Sequence, residues 1–309
     1  VWNKYSQRGA EADAGTLRCA PMTTPLSRLR ASLFAVAAAA TAATSMPASA
    51  QDAAAPRASP PLWEAGIFFG AATQPAYPGA ADRTSRALPL PYLIYRGPVL
   101  RIDEGSAALR ALRTPRFELN VGVGGSLGSS SKDVEAREGM PDLGTLVEAG
   151  PRLVWNLADP GPRGRAPWRL EVPLRAVLDV NDGLRYRGLV FAPELVHDRP
   201  LPGAWRAGLR VGPVFGDGQL ADLFYAVDPV YATPTRPAYD ARGGLIAWRL
   251  GASLSRSFGP DLSLFLFARV ESVAGAANRD SPLVRRDTGV AGGVGLAWSF
   301  ARSSRPASE

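Results

Sequence analysis

Apolar and polar side chains alternate along most of this chain with a period of two, from about residue 62 to residue 300. In a strand, successive side chains point to opposite faces, so this period predicts strands with one greasy face and one polar or small one. The last such stretch is the clearest. Val290, Gly292, Val294, Leu296, Trp298 and Phe300 fall on one face, and Ala291, Gly293, Gly295, Ala297 and Ser299 on the other. Phe117, Leu119, Val121 and Val123 likewise oppose Arg116, Glu118, Asn120 and Gly122. Trp168, Leu170, Val172, Leu174 and Leu178 oppose Arg169, Glu171, Arg175 and Asp179. Similar patterns run through 63–70, 147–157, 205–212, 248–255 and 262–271, although Phe265 and Phe267 interrupt the polar face of the last. Strands are expected near 62–70, 88–96, 98–104, 106–112, 115–126, 145–157, 166–180, 184–197, 203–213, 242–258, 261–274 and 289–300. That is an all-β chain of about twelve strands, with ten as the alternative count. Pro89 and Pro91 interrupt the second strand, and Arg110 and Arg113 crowd the fourth.

A soluble sandwich also alternates, so alternation does not choose between a water-facing and a lipid-facing apolar surface. The tryptophans do. With strands running alternately up and down from a periplasmic start, Trp63, Trp155, Trp168, Trp205 and Trp298 fall at one level of the apolar face, with Phe300 beside them, and Trp248 marks the opposite rim. Indoles gathered at the interfaces are the girdle of a membrane barrel. Connection lengths agree. Arg96–Pro98, Arg113–Pro115 and Gly259–Asp261 make tight turns, Asp198–Gly203 is short and Ala158–Ala166 somewhat longer. On the other side lie the long connections Ala71–Ala87, Leu127–Gly144, Val214–Arg242 and Gly275–Thr288. The expected architecture is a transmembrane, antiparallel, up-and-down β-barrel over residues 62–300.

Composition narrows the class. With 28 prolines and 32 glycines in 309 residues, strands and turns are favoured over long helices. No apolar run after residue 50 reaches the roughly 18 residues of a membrane helix. Residues 22–50 read as a secretory signal: Met22 as a start, Arg28 and Arg30, an apolar stretch from Leu33 to Ala43, then Ala48-Ser49-Ala50 as the cleavage site. Residues 1–21 are then expected to be an upstream extension, 51–61 a short periplasmic segment and 301–309 a tail. Cys19, the single cysteine, lies before the cleavage site, so the mature chain carries neither disulfide nor thiolate metal site. Of 35 basic and 28 acidic residues, 5 and 2 lie in residues 1–50, leaving 30 and 26. Arginines alternate with glutamates instead of gathering in a stripe, which excludes a nucleic-acid-binding surface.

Candidate chemistry is confined to the polar face. Glu64, Arg116, Glu118, Glu148, Arg152, Arg169, Glu171, Arg175, Arg206, Arg210, Arg249, Arg269 and Glu271 are expected to line the interior, with Asp179 and Glu194. Their near balance predicts a lumen largely filled by cross-paired side chains, with small and weakly selective conductance. The sole histidine, His197, sits near a periplasmic turn, whereas Ser129-Ser130-Ser131 lies in an outward loop. A nucleophile and its base must be within hydrogen-bond reach, so no catalytic residue is expected. The glycine clusters at 122–125 and 292–295 lack the Lys-Ser/Thr of a phosphate loop. No cofactor or metal site is expected.

Leu62-Trp-Glu-Ala-Gly66, Tyr77-Pro-Gly79, Leu88-Pro-Leu-Pro-Tyr92, Tyr95-Arg-Gly97, Gly139-Met-Pro-Asp142, Pro237-Ala-Tyr-Asp240 and Ser281-Pro-Leu-Val-Arg285 occur in order along the chain. Together they give a sequence that resembles the MltA-interacting protein/OmpV family of outer-membrane proteins. The resemblance implies an outer-membrane barrel of a Gram-negative bacterium, non-enzymatic, scaffolding a lytic murein transglycosylase and a penicillin-binding protein. A narrow porin-like channel for small solutes, or a surface adhesin, is the alternative. Lipid and lipopolysaccharide are the other expected partners, the latter through loop residues Arg83, Arg86, Lys132, Arg285 and Arg286. Members of this class usually end on an aromatic residue, whereas Ala301–Glu309 follow Phe300 here.

Overall fold

The computed structural model describes residues 61–96, 100–103, 106–109, 112–159 and 167–307. Expectations for residues 1–60, the leader and its cleavage site among them, lie outside these residues.

The strands are β1 (Trp63–Pro75), β2 (Arg83–Arg96), β3 (Leu100–Asp103), β4 (Ser106–Leu109), β5 (Leu112–Arg113), β6 (Phe117–Ser126) and β7 (Leu146–Asn156). They continue as β8 (Trp168–Asp179), β9 (Arg185–Phe191), β10 (Glu194–Pro200), β11 (Trp205–Gly216), β12 (Gly244–Ser257), β13 (Leu262–Ser272) and β14 (Thr288–Arg302). All fourteen belong to one sheet in which every pairing is antiparallel. Strands consecutive in sequence pair in the sheet except β4 with β5 and β9 with β10, the latter two each lying between β8 and β11, and β14 pairs with β1, so the first and last strands meet. The path ends on β4 and β5; β5 pairs with β6 and β4 lies beside it.

Two of the expected runs are divided. The stretch 184–197 becomes β9 and β10, broken at Ala192-Pro193, because proline has no N–H to give the ladder. The stretch 106–112 becomes β4 and β5 on either side of residues 110–111. At the other end, β14 does not stop at Phe300 but runs to Arg302. Leu62 N–H donates to Arg305 O and Ser303 N–H to Trp63 O, so residues 301–306 lengthen the β1–β14 seam.

The side chains sort by parity. Leu209, Leu250, Trp298 and Phe300 are 51%, 55%, 51% and 59% exposed, while Asn120, Arg169, Glu171, Asp179 and Glu271 are buried. This inverts a soluble protein, where burial of apolar surface drives folding. On β14, the ten intervals from Val290 to Phe300, at about 3.3 Å each and tilted about 40°, rise about 25 Å, the height of a barrel's apolar band. The apolar core lies among the connections instead. The longest of them contains a helix, α1 (Gly218–Tyr225), which the sequence pattern leaves as loop. Asp217 caps it by accepting from Leu220 N–H at 3.0 Å, and Leu220, Ala221 and Tyr225 are its buried residues. Its start presses on Gly188, whose φ of +118° and lack of a Cβ leave room for Asp217 and Leu220.

Candidate functional site

Most strand charges point inward because period-two alternation fixes one residue type to one face. Arg169 on β8 is the centre of the resulting network, donating to Glu171 at 2.6 Å and to Asp198 at 2.7 Å. Glu171 also receives Arg152 at 3.4 Å and has Arg210 at 4.0 Å. Arg152 Nε reaches across the β6–β7 pair to Asn120, whose amide donates to Glu118. Arg175 meets Glu148 at 3.2 Å, Arg210 meets Glu194 at 3.0 Å and Arg187 meets Asp179 at 3.0 Å. Arg249 and Arg269 share Glu271, at 3.3 and 3.9 Å. Ser299 Oγ lies between Tyr92 Oη and Glu64. With one charge removed, the others would face a poorly solvated interior unpaired, so the network holds as a unit. The sequence pattern leaves out Arg187 and Asp198 as members of it. Arg116 and Arg206 share the inward parity but are exposed.

The outward rings sit where the strand register puts them. Phe117 stacks on Trp155 with centroids 5.8 Å apart, Trp168 on His197 at 4.2 Å, and Trp298 meets Phe300 edge-on at 6.1 Å. Trp205 and Phe258 hold Arg256 between them, its guanidinium carbon 5.2 and 4.8 Å from their centroids. Arg256 is outward-facing by its pairing with Trp205, a charge on the apolar face. Trp63 lies at the same end, opposite Tyr95, and Trp248 lies at the far end of β12. His197 is therefore an outward residue, with Nδ1 3.1 Å from Pro167 O. Ser131 N–H and Ser130 Oγ bond to Asp142, so the serines are loop-capping groups.

The feature that sequence reasoning missed lies at the outward end. The connection expected at 71–87 is only residues 76–82, because β1 and β2 pair through the rest of it and Arg83 and Arg86 lie on β2. This short connection and the three long ones fold onto one another and onto inward residues of the strand ends, Leu146, Val177, Val190 and Val214, burying Tyr77, Val134, Met140, Leu220, Tyr225, Val227 and Leu283. Buried polar bonds lock the loops together. Tyr77 Oη donates to Leu283 O at 2.8 Å, Tyr225 Oη to Pro78 O at 3.1 Å, and Ser281 Oγ to Tyr225 O at 2.8 Å. Arg137 donates to Leu223 O and Pro141 O, both at 3.3 Å, and Arg236 to Ala136 O at 3.1 Å and Glu138 O at 2.9 Å. Gly79 O accepts from the N–H groups of Arg285 and Arg286. Burial pushes the Tyr77 phenol up to about 12, despite the opposing pull of Arg137. Burial pushes Tyr225 up as well and Arg137 down. The backbone N–H of Ser131 holds Asp142 below the usual carboxylate range. Tyr77, Met140, Asp142, Tyr239, Ser281 and Leu283, drawn from the fragments quoted above, are all in or against this cap.

Residues 67–300 match the family described as MltA-interacting protein MipA. The chain belongs to the MipA family. It is an outer-membrane β-barrel protein, and the cap covers one end of its strands. Among solved structures, the NanC porin is similar at 8% identity over 76% of this chain and 98% of that one, with a TM-score of 0.35. Outer membrane phospholipase A from Escherichia coli is similar at 11% identity over 78% and 98%, TM-score 0.33. Salmonella typhi OmpF in complex with daunomycin is similar at 9% identity over 77% and 97%, TM-score 0.34. No curated protein matches the sequence.

Proposed function

We propose that this MipA-family barrel is a capped, poorly conducting membrane platform that holds a lytic murein transglycosylase at the periplasmic side of the outer membrane. One structural observation supports it above the others: four outward loops form a single buried cluster over the inward-facing strand ends, an arrangement suited to a closed scaffold and unsuited to an open general porin. The family's description names the partner, MltA, a murein transglycosylase. On this reading the leader at residues 22–50 directs export with cleavage after Ala50, and the Trp63, Trp155, Trp168, Trp205, Trp298 and Phe300 rings anchor at the inner headgroup level, Trp248 at the outer one. The inward charges hold the wall, and the loop residues Lys132, Arg285 and Arg286 meet lipopolysaccharide phosphates. The short turns are the docking surface, and a penicillin-binding protein completes the assembly.

The test is co-purification from native membranes with the barrel as bait. A murein transglycosylase recovered in stoichiometric amount, and lost when the 200–204 turn and the 158–166 connection are replaced, is the expected result. Recovery of no murein enzyme, together with rapid liposome swelling in small sugars, would put the channel reading in its place.

A further inference from the structure

The interior charges are not matched evenly around the wall. On β11–β13 one row of the inward face reads Arg210, Gly251, Arg269, each paired to the next across the ladder. The two arginines are thus two strand spacings apart, about 10 Å, with no side chain between them. A Cβ at Gly251 would make only ordinary contacts, with Ala268 O at 3.9 Å and Arg210 Cβ at 4.0 Å, so the floor of this slot has room for a side chain that the glycine does not supply. Toward the periplasmic end the same face of β12 carries Ser253 and Ser255, the latter opposite Arg206. Arg206 has no ion pair or hydrogen bond among the described residues, and neither serine hydroxyl has a hydrogen bond there. Arg269 Nε is buried without a partner, and the guanidinium only approaches Glu271, which Arg249 holds more closely. Arg210 is 45% exposed although it faces inward, and Ser253 and Arg206 are exposed too, so this part of the interior is open to solvent.

We infer that this wall is a binding site for a small oxyanion, a carboxylate or a phosphate, that enters from the periplasmic mouth. Guanidinium groups bind such anions bidentately through charge-assisted hydrogen bonds. Arg206 stands at the entrance, Arg210 and Arg269 clamp, the serines donate from the side, and Gly251 leaves the space. Arg210 gives up part of its contact with Glu194 to the anion, and Arg269 gives up only its longer contact with Glu271. The inference needs only the barrel, not the scaffold role, so either can fail alone.

The experiment titrates inorganic phosphate, and separately succinate, into the purified full chain in detergent by calorimetry, with chloride holding ionic strength constant. Saturable binding of at least one anion is expected. It should weaken about tenfold or more in the Arg210→Gln/Arg269→Gln double variant, since each removes a charge-assisted hydrogen bond. Gly251→Leu keeps every charge and fills the floor; it should weaken binding to the same degree while the heat-modified band shift on electrophoresis stays intact. Arg116→Gln, on the opposite part of the wall, should bind as wild type. Phosphate against succinate assigns the class. No saturable binding above chloride, or equal binding by wild type and Gly251→Leu, overturns the site.

Discussion

If the outward loops are one cooperative cap, removing its central side chain should free them while leaving the strands alone. Tyr225 is 1% exposed, closes α1, donates to Pro78 O and gives its own carbonyl to Ser281. Tyr225→Ala deletes a large buried ring, a loss of about 3–5 kcal/mol. At about 1.4 kcal/mol per factor of ten, the opened population of the cap rises between about a hundredfold and several thousandfold. Tyr225→Phe removes only the hydrogen bond, about 1 kcal/mol, and should raise it about fivefold. Two readouts follow. In planar bilayers the wild type should show rare, brief openings and Tyr225→Ala frequent ones. Trypsin should cut at Arg285-Arg286, whose N–H groups are held by Gly79, far faster in the alanine variant. The heat-modified band shift, which reports the sheet, should not change. Wild-type conductance already equal to that of Tyr225→Ala would refute the reasoning, as would a variant whose Arg285-Arg286 bond remains as protected as before.

Other outcomes follow from single contacts. Glu171→Gln leaves Arg169, Arg152 and Arg210 around a neutral group and should lower unfolding stability by about 3–5 kcal/mol, read from the urea midpoint of tryptophan fluorescence. A Cβ at Gly295 would strike the Phe68 ring, so Gly295→Ala should cost about 1–3 kcal/mol by the same measurement, with the loss largely relieved in Phe68→Leu/Gly295→Ala. Ala204 sits at φ +62° in the turn before β11, so Ala204→Gly should raise stability by about 0.5 kcal/mol, the left-handed cost less glycine's unfolded-state entropy. Tyr77 titrates near 12 in the cap and near 10 when released. Its contribution is complete below pH 10 and lost as pH rises through 12. The 295 nm difference between wild type and Tyr77→Phe should therefore develop near pH 12; a midpoint near 10 would mean that the phenol is not buried.

The alternation of β14, from Val290 to Phe300, was enough to assign each side chain to a face, because strand geometry converts parity directly into direction. From this came the exposed indoles, the inward arginines and the shared level of Trp155, Trp168, Trp205 and Trp298. Arg256 escaped because its guanidinium sits on Trp205 and Phe258, which replaces the water its charge would otherwise need. The pairing of Arg169 with both Glu171 and Asp198 was also out of reach, since Asp198 joins β8 only through the register of β10. The cap lay furthest from the sequence pattern. Asp217 followed by Leu220, Ala221, Phe224 and Tyr225 is a capped helical signal that sequence reading could have used. The partners, however, are Tyr77 with Leu283 and Arg137 with Leu223, separated by 206 and 86 positions. Sequence alone determined which residues of a strand share a face, because that follows from local backbone geometry. Only the tertiary structure decided that the loops have a core of their own, because loops carry no period and their partners come from distant parts of the chain.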